Sequence, residues 1–401
     1  MLQFFSASTN IVNSKRAITE CLENALQGEP DINCDLIIIY TAMGHNFKDL
    51  LTEAHKLSPG AQIVGCTAGG IIGKEGPDES MKALAIMAIK GQQSEFAVSV
   101  LDSTDYTDTY AYSYKLSQEL KSKNPDINLI LVDPSFKRFI NSIDKFIAGI
   151  EAVFGSNVKI IGGLSFDGRM VADFQFIDDR ILENSAIMVG FADSTLEVIT
   201  WANHGLEVVG FPLEVTKCDQ NNIIELDGRK TWEILMKKLG LPESTSPSIE
   251  ISIISSLAVG LPEEYQKEYG SEYTVIGALV PDTKGVITGL YPIPSGTKVW
   301  LTRRNEQKIF DGVDLMTGKI NEHLEGKVPV AVFHADCQAR GKLLFNKIMK
   351  EEIITRLQFP VFKGENIPWL GMYGGGEITP MGGKNMIHVF TSSLYVLVRN
   401  K

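Results

Sequence analysis

Short apolar runs with no polar alternate punctuate the chain, and stretches whose apolar residues return every three or four positions lie between them. Leu36, Ile37, Ile38 and Ile39 make one such run, and Ile63 with Val64 begins another. This is the pattern of strands covered on both faces. Between them Phe47, Leu50, Leu51 and Leu57 keep helical spacing up to Pro59-Gly60, so the unit reads strand, helix, strand. Phe4 and Phe5 start an earlier strand. Ser8, Thr9 or Asn13 can cap a helix whose inner face holds Ile18, Leu22 and Leu26. Beyond Gly69-Gly70, residues 84–89 and 96–101 read as two strands, expected to be antiparallel neighbours.

The same order then returns. Residues 129–132 read as a strand, 139–154 as a helix, and Ile160-Ile161 as a strand meeting Gly162-Gly163; strands at 187–191 and 196–201 follow. Gly65 and Gly162 stand 97 residues apart, and Leu36 and Leu129 stand 93 apart. So long a period describes duplicated α/β units, not a solenoid of short elements. A third copy starts with the run Val328, Val330, Val332 and Phe333. Leu343, Leu344, Ile348, Ile353, Ile354 and Leu357 predict a helix ended by Pro360, and Trp369, Leu370 and Met372 a strand that breaks at Gly374-Gly375-Gly376.

A β-rich stretch begins near Pro212. A hairpin turns at Asn221-Asn222, a helix through Trp232, Leu235 and Leu239 stops at Gly240, and strands are predicted at 251–254, 274–279, 286–290 and 298–302. The polar loop at 242–248 is the expected mobile or nickable segment. The expected class is α+β, or mixed α/β: a layered sandwich of large mixed sheets flanked by helices. The expected division is 1–205, with repeats at about 30–103 and 125–202, and 206–401. Antiparallel strand pairs after each glycine turn argue against a purely parallel, doubly wound sheet.

Composition changes this picture little: 44% hydrophobic and 22% charged is ordinary for a globular protein. A net charge of −11 with no Lys/Arg-rich run argues against nucleic-acid partners. Five scattered cysteines imply no disulfide framework and suggest a reducing compartment. The N-terminal residues lack the order of a signal peptide, and no apolar run approaches the roughly 18–20 residues of a membrane span, so a cytoplasmic protein is expected. Six histidines are spread along the chain with no C-x-x-C or H-E-x-x-H, and no metal site is expected. Neither G-x-G-x-x-G nor a P-loop is present, and no cofactor is expected.

The candidate chemistry gathers at the end of the third copy. Its strand, helix, strand order brings Cys337, Arg340 and Glu377 towards one sheet edge, where open α/β folds bind ligands. A cation beside Cys337 would favour its thiolate; otherwise it is a small buried apolar group. His334 or His388 could pair with it. Arg340 offers a fork for a carboxylate or an ion pair to Glu377 or Asp336. Glu377 suits a ligand amine or a turn cap. Asp167, before Gly168, reads as turn chemistry or as a pocket residue. Cys66 and Thr67 offer a hydroxyl and N–H groups to an anion. Gly163 and Gly375 permit close backbone approach, and Tyr373 reads as core or pocket wall.

These motifs also carry a resemblance. CQARG (337–341), GMYGGGEITP (371–380) and TSSLYVLV (391–398) resemble the C-terminal half of FIST proteins, a name expanded as F-box and intracellular signal transduction. IVGCTAGGIIG (63–73) and IIGGLSFDG (160–168) are similar to the two glycine motifs of the FIST N domain, and 212–235 resembles the opening of FIST C. The resemblance covers nearly the whole chain. It implies a sensory protein of signal transduction that binds a small molecule, with amino acids or related metabolites suggested. It favours roles for Arg340 and Glu377, which belong to its recurring motifs, and raises that of Asp167. Many relatives carry an output domain. Here the two FIST halves take up the sequence, so a signal is expected to pass to a separate partner such as a kinase.

The expected ligand contacts are Cys66, Thr67, Gly163, Asp167, Cys337, Arg340, Tyr373, Gly375 and Glu377. A ligand carboxylate would meet Arg340, and its amine Glu377 or Asp167. No catalytic residue is assigned, with Cys337 the one candidate. Two alternatives stay open: an enzyme using Cys337, or Asp167 with Glu377, on a small metabolite, and a protein-interaction scaffold like the F-box relatives.

Overall fold

The structure, a computed structural model, describes residues 1–169 and 172–401. Three six-stranded sheets share one plan. The first holds, side by side, Gln3–Thr9, Leu84–Lys90, Leu36–Thr41 and Gln62–Thr67. The second repeats this with Phe96–Leu101, Ala186–Phe191, Leu129–Pro134 and Lys159–Gly163. The third does so with Glu197–Asn203, Ser392–Asn400, Lys327–Cys337 and Trp369–Gly374. In each, the last two strands named run parallel and the other neighbours antiparallel. A parallel pair needs a crossover. Helices Phe47–Leu57 and Ile143–Phe154 supply it in the first two units.

Each sheet is completed by a hairpin from another unit. Phe174–Ile177 and Arg180–Glu183, from the second unit, extend the first sheet by pairing with Gln62–Thr67. Glu377–Met381 and Lys384–His388, from the third, pair with Lys159–Gly163 of the second. Ile71–Gly73 and Gly76–Asp78, from the first, pair with Trp369–Gly374 of the third. The exchange closes a ring.

One face of every sheet turns to a common centre, where Ile38 and Met87 meet Leu131 and Phe191, and Phe333 and Leu397. The outer faces are covered by helices: Ser14–Ala25 and Phe47–Leu57 over the first sheet, Thr109–Lys123 and Ile143–Phe154 over the second, Glu306–His323 over the third. This double cover is why the strand runs carry no polar alternate. Asn13 caps the first helix, its side-chain oxygen accepting from the Arg16 N–H at 3.0 Å.

Residues 206–304 are inserted between the first strand and first helix of the third unit. They form a seven-stranded antiparallel sheet with its own core of Leu213, Val215, Leu257, Ile276 and Leu301. Val275 and Leu290 pack it against the second unit's core. Its first hairpin joins Leu206–Asp219 to Asn222–Leu226, with Gln220 at φ 55. Among the described residues no helix is long and apolar enough to cross a membrane.

Several expectations are corrected. Strands Leu84–Lys90 and Phe96–Leu101 are not neighbours. The capped turn at 92–95 carries the chain from one sheet into the next, so each unit begins one strand before the repeat seen in sequence. The helix predicted through 343–357 is interrupted at 346–349: Lys342–Phe345 stands apart, and an unbroken helical stretch runs over 350–362 with a wide turn at Ile354–Gln358. Asn346, at φ 54, stops the first piece, and Leu343 and Ile348 stay exposed. Pro360 does not end the helix as expected: it lies within it, just after the wide turn, and the helix runs on to Phe362. Residues 251–254 belong to helix Ile249–Ile254, and the strand is Ser255–Gly260.

Two buried polar groups tie the ring together. The Tyr395 hydroxyl is shared between the carbonyls of Gly162 (2.8 Å) and Ile378 (2.9 Å), linking the third sheet to the seam between the second sheet and its borrowed hairpin. Tyr395→Phe strips both carbonyls of this donor and is expected to destabilise the fold by about 1–3 kcal/mol in denaturant titrations.

Asp133 accepts from Tyr40 Oη at 2.8 Å in the same centre, and burial pushes its carboxyl up to about 7. Its folded value thus exceeds the unfolded one of about 3.9. The stability it contributes is complete below that unfolded value and is lost as pH rises towards about 7. Thermal melts across this window should show a smaller decline for Asp133→Asn than for the wild type.

Candidate functional site

A cavity of about 310 Å³ lies at the joint where the third unit's hairpin crosses to the second sheet. It sits at the carboxyl ends of Leu129–Pro134, Lys159–Gly163, Lys327–Cys337 and Trp369–Gly374. Phe136 and Phe166 form one wall, ring edge to ring face at 5.2 Å. Ala278 and Leu290 of the insert form the roof, and Cys337, Gly375 and Phe390 of the third unit complete it. A Cβ on Gly375 would lie 2.2 Å from the Phe136 ring, so the triple glycine serves close packing at the wall. A larger, more open groove of about 610 Å³ runs along 204–208 and 270–273, but none of the expected contacts lines it.

The backbone N–H groups of Ala339 and Phe390 lie near the Cys337 sulfur and act to lower its pKa. Burial pushes its thiol up to about 12; the nearby Glu377 adds to this and Arg304 opposes it. At neutral pH it is a thiol, not a thiolate. Neither candidate histidine pairs with it. His334 Nε2 meets Ser392 Oγ at 2.9 Å and His388 Nε2 meets the Thr379 carbonyl at 3.2 Å. Burial pushes the two imidazoles down, to about 3 and about 4, so both are neutral.

Arg340 is enclosed and committed. Its Nε donates to Asp336 Oδ1 at 3.0 Å and its Nη1 to the His204 carbonyl at 2.8 Å, which leaves it a structural ion pair. Glu377 does not share its sheet. It lies opposite Gly163 and His388 in the second sheet, because the glycines let the chain cross over. Its Oε2 accepts from the Thr391 hydroxyl (2.5 Å) and N–H (3.2 Å), while Oε1 has no partner among the described residues. Burial pushes this carboxyl well above the usual range.

The remaining expected contacts fall elsewhere. Asp167 accepts from the Arg169 and Ala172 N–H groups as a turn residue, beside Gly168 and Arg169 at the cavity. Cys66 is buried against Met372, with sulfur to sulfur 4.0 Å. Thr67 Oγ1 accepts from the Phe174 N–H at 2.9 Å and stitches the borrowed hairpin to the first sheet. Gly163 is enclosed, its absent Cβ 2.7 Å from Met372 Cε, and Tyr373 packs in the core under helix Glu306–His323. The structure therefore brings Cys337 and Gly375 to the cavity, with Arg340 and Glu377 in the polar layer behind it. Cys66, Thr67, Gly163 and Tyr373 are separated from it.

Two residues escaped the sequence reading. Arg304 ends strand Lys298–Arg304, and its Nε donates to the Ile253 carbonyl at 3.0 Å. Its guanidinium carbon lies 4.4 Å from the ring centre of Phe390. Its Nη1 and Nη2 are buried with no acceptor among the described residues. Burial pushes its pKa down to about 9, which leaves it charged at neutral pH. Phe390 holds φ 61, a region that bulky residues seldom occupy. In sequence Arg303-Arg304 is an ordinary polar strand end, and nothing there separates the exposed arginine from the enclosed one.

The fold and cavity define a layered α/β protein with an enclosed site between an inserted sheet and two repeated units. The FIST N domain model matches residues 35–229 and the FIST C domain model residues 244–380, and the chain belongs to the FIST family. The F-box part of the expanded name is withdrawn, since it is these two domains that match. FIST domains are associated with sensing in signal transduction.

Among its relatives is "Uncharacterized protein Rv0628c" of Mycobacterium tuberculosis (strain ATCC 25618 / H37Rv), 24% identical over 359 residues, 87% of each chain. Another is "Uncharacterized protein Mb0898c" of Mycobacterium bovis (strain ATCC BAA-935 / AF2122/97), 22% identical over 364 residues, 87% of this chain and 86% of that one. Solved structures that overlap it include a chorismatase (8% identity, TM-score 0.37, 99% of both chains). A cyanuric acid hydrolase from A. caulinodans overlaps at 7% identity and TM-score 0.35, over 100% of both chains. Likeness at this level assigns no chemistry to this chain.

The enclosed thiol leads to a labelling prediction. Among the cysteines only Cys218 is partly exposed, so a thiol reagent at neutral pH should modify it first and leave Cys337 to react only slowly. Rapid labelling of a Cys218→Ser chain at Cys337 would contradict the burial described.

Proposed function

We propose that this chain is a small-molecule sensor whose ligand occupies the cavity between the second unit, the third unit and the insert. The observation that carries this is the placement of an apolar cavity of about 310 Å³, at the small end of ligand-site volumes, where three parts of the chain meet. A ligand held there touches all three at once. It stabilises the arrangement that contains it, and the insert's outer surface carries the change to a separate signalling protein such as a kinase. Amino acids or related metabolites are the ligand class that the family suggests.

The test is a thermal-shift comparison of the wild type with Ala339→Phe, which fills the cavity from its lining. Across a panel of amino acids and their deaminated and 2-oxo analogues, at least one compound should raise the melting temperature of the wild type and not of the variant. Shifts of equal size in both proteins would place the ligand elsewhere.

A further inference from the structure

The cavity's charge is one-sided. The chain carries a net charge of −11, yet among the described residues no Asp or Glu lines this space. The charged residue that does is Arg169, exposed beside Gly168. Cys337, Ile253 and Phe390 line what we call the floor, and Arg304, outside the lining, bonds the Ile253 carbonyl and stacks on the Phe390 ring. The backbone N–H groups of Ala339 and Phe390 lie near the Cys337 sulfur in the same place. The floor therefore presents a thiol and two nearby backbone N–H groups, with a guanidinium behind them whose Nη1 and Nη2 meet no acceptor among the described residues.

Burying a cation without its acceptors is costly, so such a group persists where something supplies the missing charge. The nearby carboxylates Asp336 and Glu377 favour its charge only from a distance, and neither bonds the guanidinium. Asp336 is engaged by Arg340, and Glu377 spends one oxygen on Thr391 while burial favours its neutral form. An ammonium would find no anion on this floor.

Resting on the reading of the cavity as a ligand site, we infer that its ligand has a compact apolar body and one terminal carboxylate, and no amine beside it. The carboxylate seats against Cys337 and the Ala339 and Phe390 N–H groups, with Arg304 as its counter-charge. Arg304, not Arg340, is the anion-binding arginine.

The experiment uses the full chain and five probes. These are phenylacetate, hexanoate, 2-phenylethylamine, 2-phenylethanol and L-phenylalanine, each tested by thermal shift and calorimetry on the wild type, Arg304→Met, Arg304→Lys and Ala339→Phe. Phenylacetate and hexanoate should stabilise the wild type, and the amine and the zwitterion should not. Arg304→Met should weaken phenylacetate at least about tenfold, and Arg304→Lys should retain most of the binding. Without ligand, Arg304→Met should melt no lower than the wild type, because it removes an unpaired buried charge.

If the amine or the alcohol binds as tightly as phenylacetate, and Ala339→Phe abolishes this, the carboxylate inference falls and the cavity stands. A phenylacetate shift that survives Arg304→Met also overturns the inference. So does an Arg304→Met chain that fails to fold, which marks the guanidinium as structural. If no probe stabilises the wild type, or the shifts persist in Ala339→Phe, the inference and the cavity reading fall together.

Discussion

Every sheet of the ring is finished by a strand pair that belongs to a different part of the chain, and the rest of the architecture depends on this exchange. A sheet edge left open exposes unpaired N–H and C=O groups. Here the edge beside Gln62–Thr67 is covered by a hairpin from residues 174–183, the one beside Lys159–Gly163 by 377–388, and the one beside Trp369–Gly374 by 71–78. No unit closes its own sheet, and the central core draws side chains from all three. The glycines of the motifs make the crossings possible. Gly162, at φ 136, would put a Cβ 2.1 Å from the Val132 carbonyl, and Gly65 would put one 2.0 Å from that of Ile39.

The cavity follows from one of these crossings. Where the chain leaves Trp369–Gly374 for the second sheet, the three glycines form a thin wall and the insert supplies the roof. At the first sheet's joint, Gln175 instead bonds Ser165 and the Ser185 N–H, filling the equivalent place with satisfied polar groups. At the third sheet's joint, Glu79 accepts from the Lys342 N–H and holds the loop after Cys337 in place. The polar layer behind the cavity therefore does two separable jobs. Arg340 and Asp336 fasten the insert's entry at His204 to the end of the central strand. Cys337 faces the cavity, and Arg304 lies behind the Phe390 and Ile253 that line it.

Much of the fold was legible because burial on both faces leaves so plain a mark. Continuous apolar runs identified the inner strands, and the spacing of the glycine motifs revealed the repeated unit. What escaped was partnership. Nothing in residues 84–101 says that the turn between two apolar strands leads into another sheet, because the pairing is decided by the distant strands 36–41 and 186–191. The amphipathic spacing at 343–357 was real in composition, but Asn346 interrupts it and its apolar residues serve different surfaces. For the site, family motifs pointed to the correct corner through Cys337 and Gly375. Arg304 lies in the insert, outside any motif, and acquires its meaning from Phe390, eighty-six positions along the chain.

Three copies joined in one polypeptide differ from three identical chains arranged in a circle. In a symmetric trimer, any change at one seam appears at all three, and a costly innovation is multiplied threefold. Covalent linkage removes that coupling: two seams can stay conservative and keep the whole together, while the remaining one accumulates unmatched charge, a bulky residue in a strained backbone and an empty space. The inserted sheet above that single seam is the visible result of this freedom.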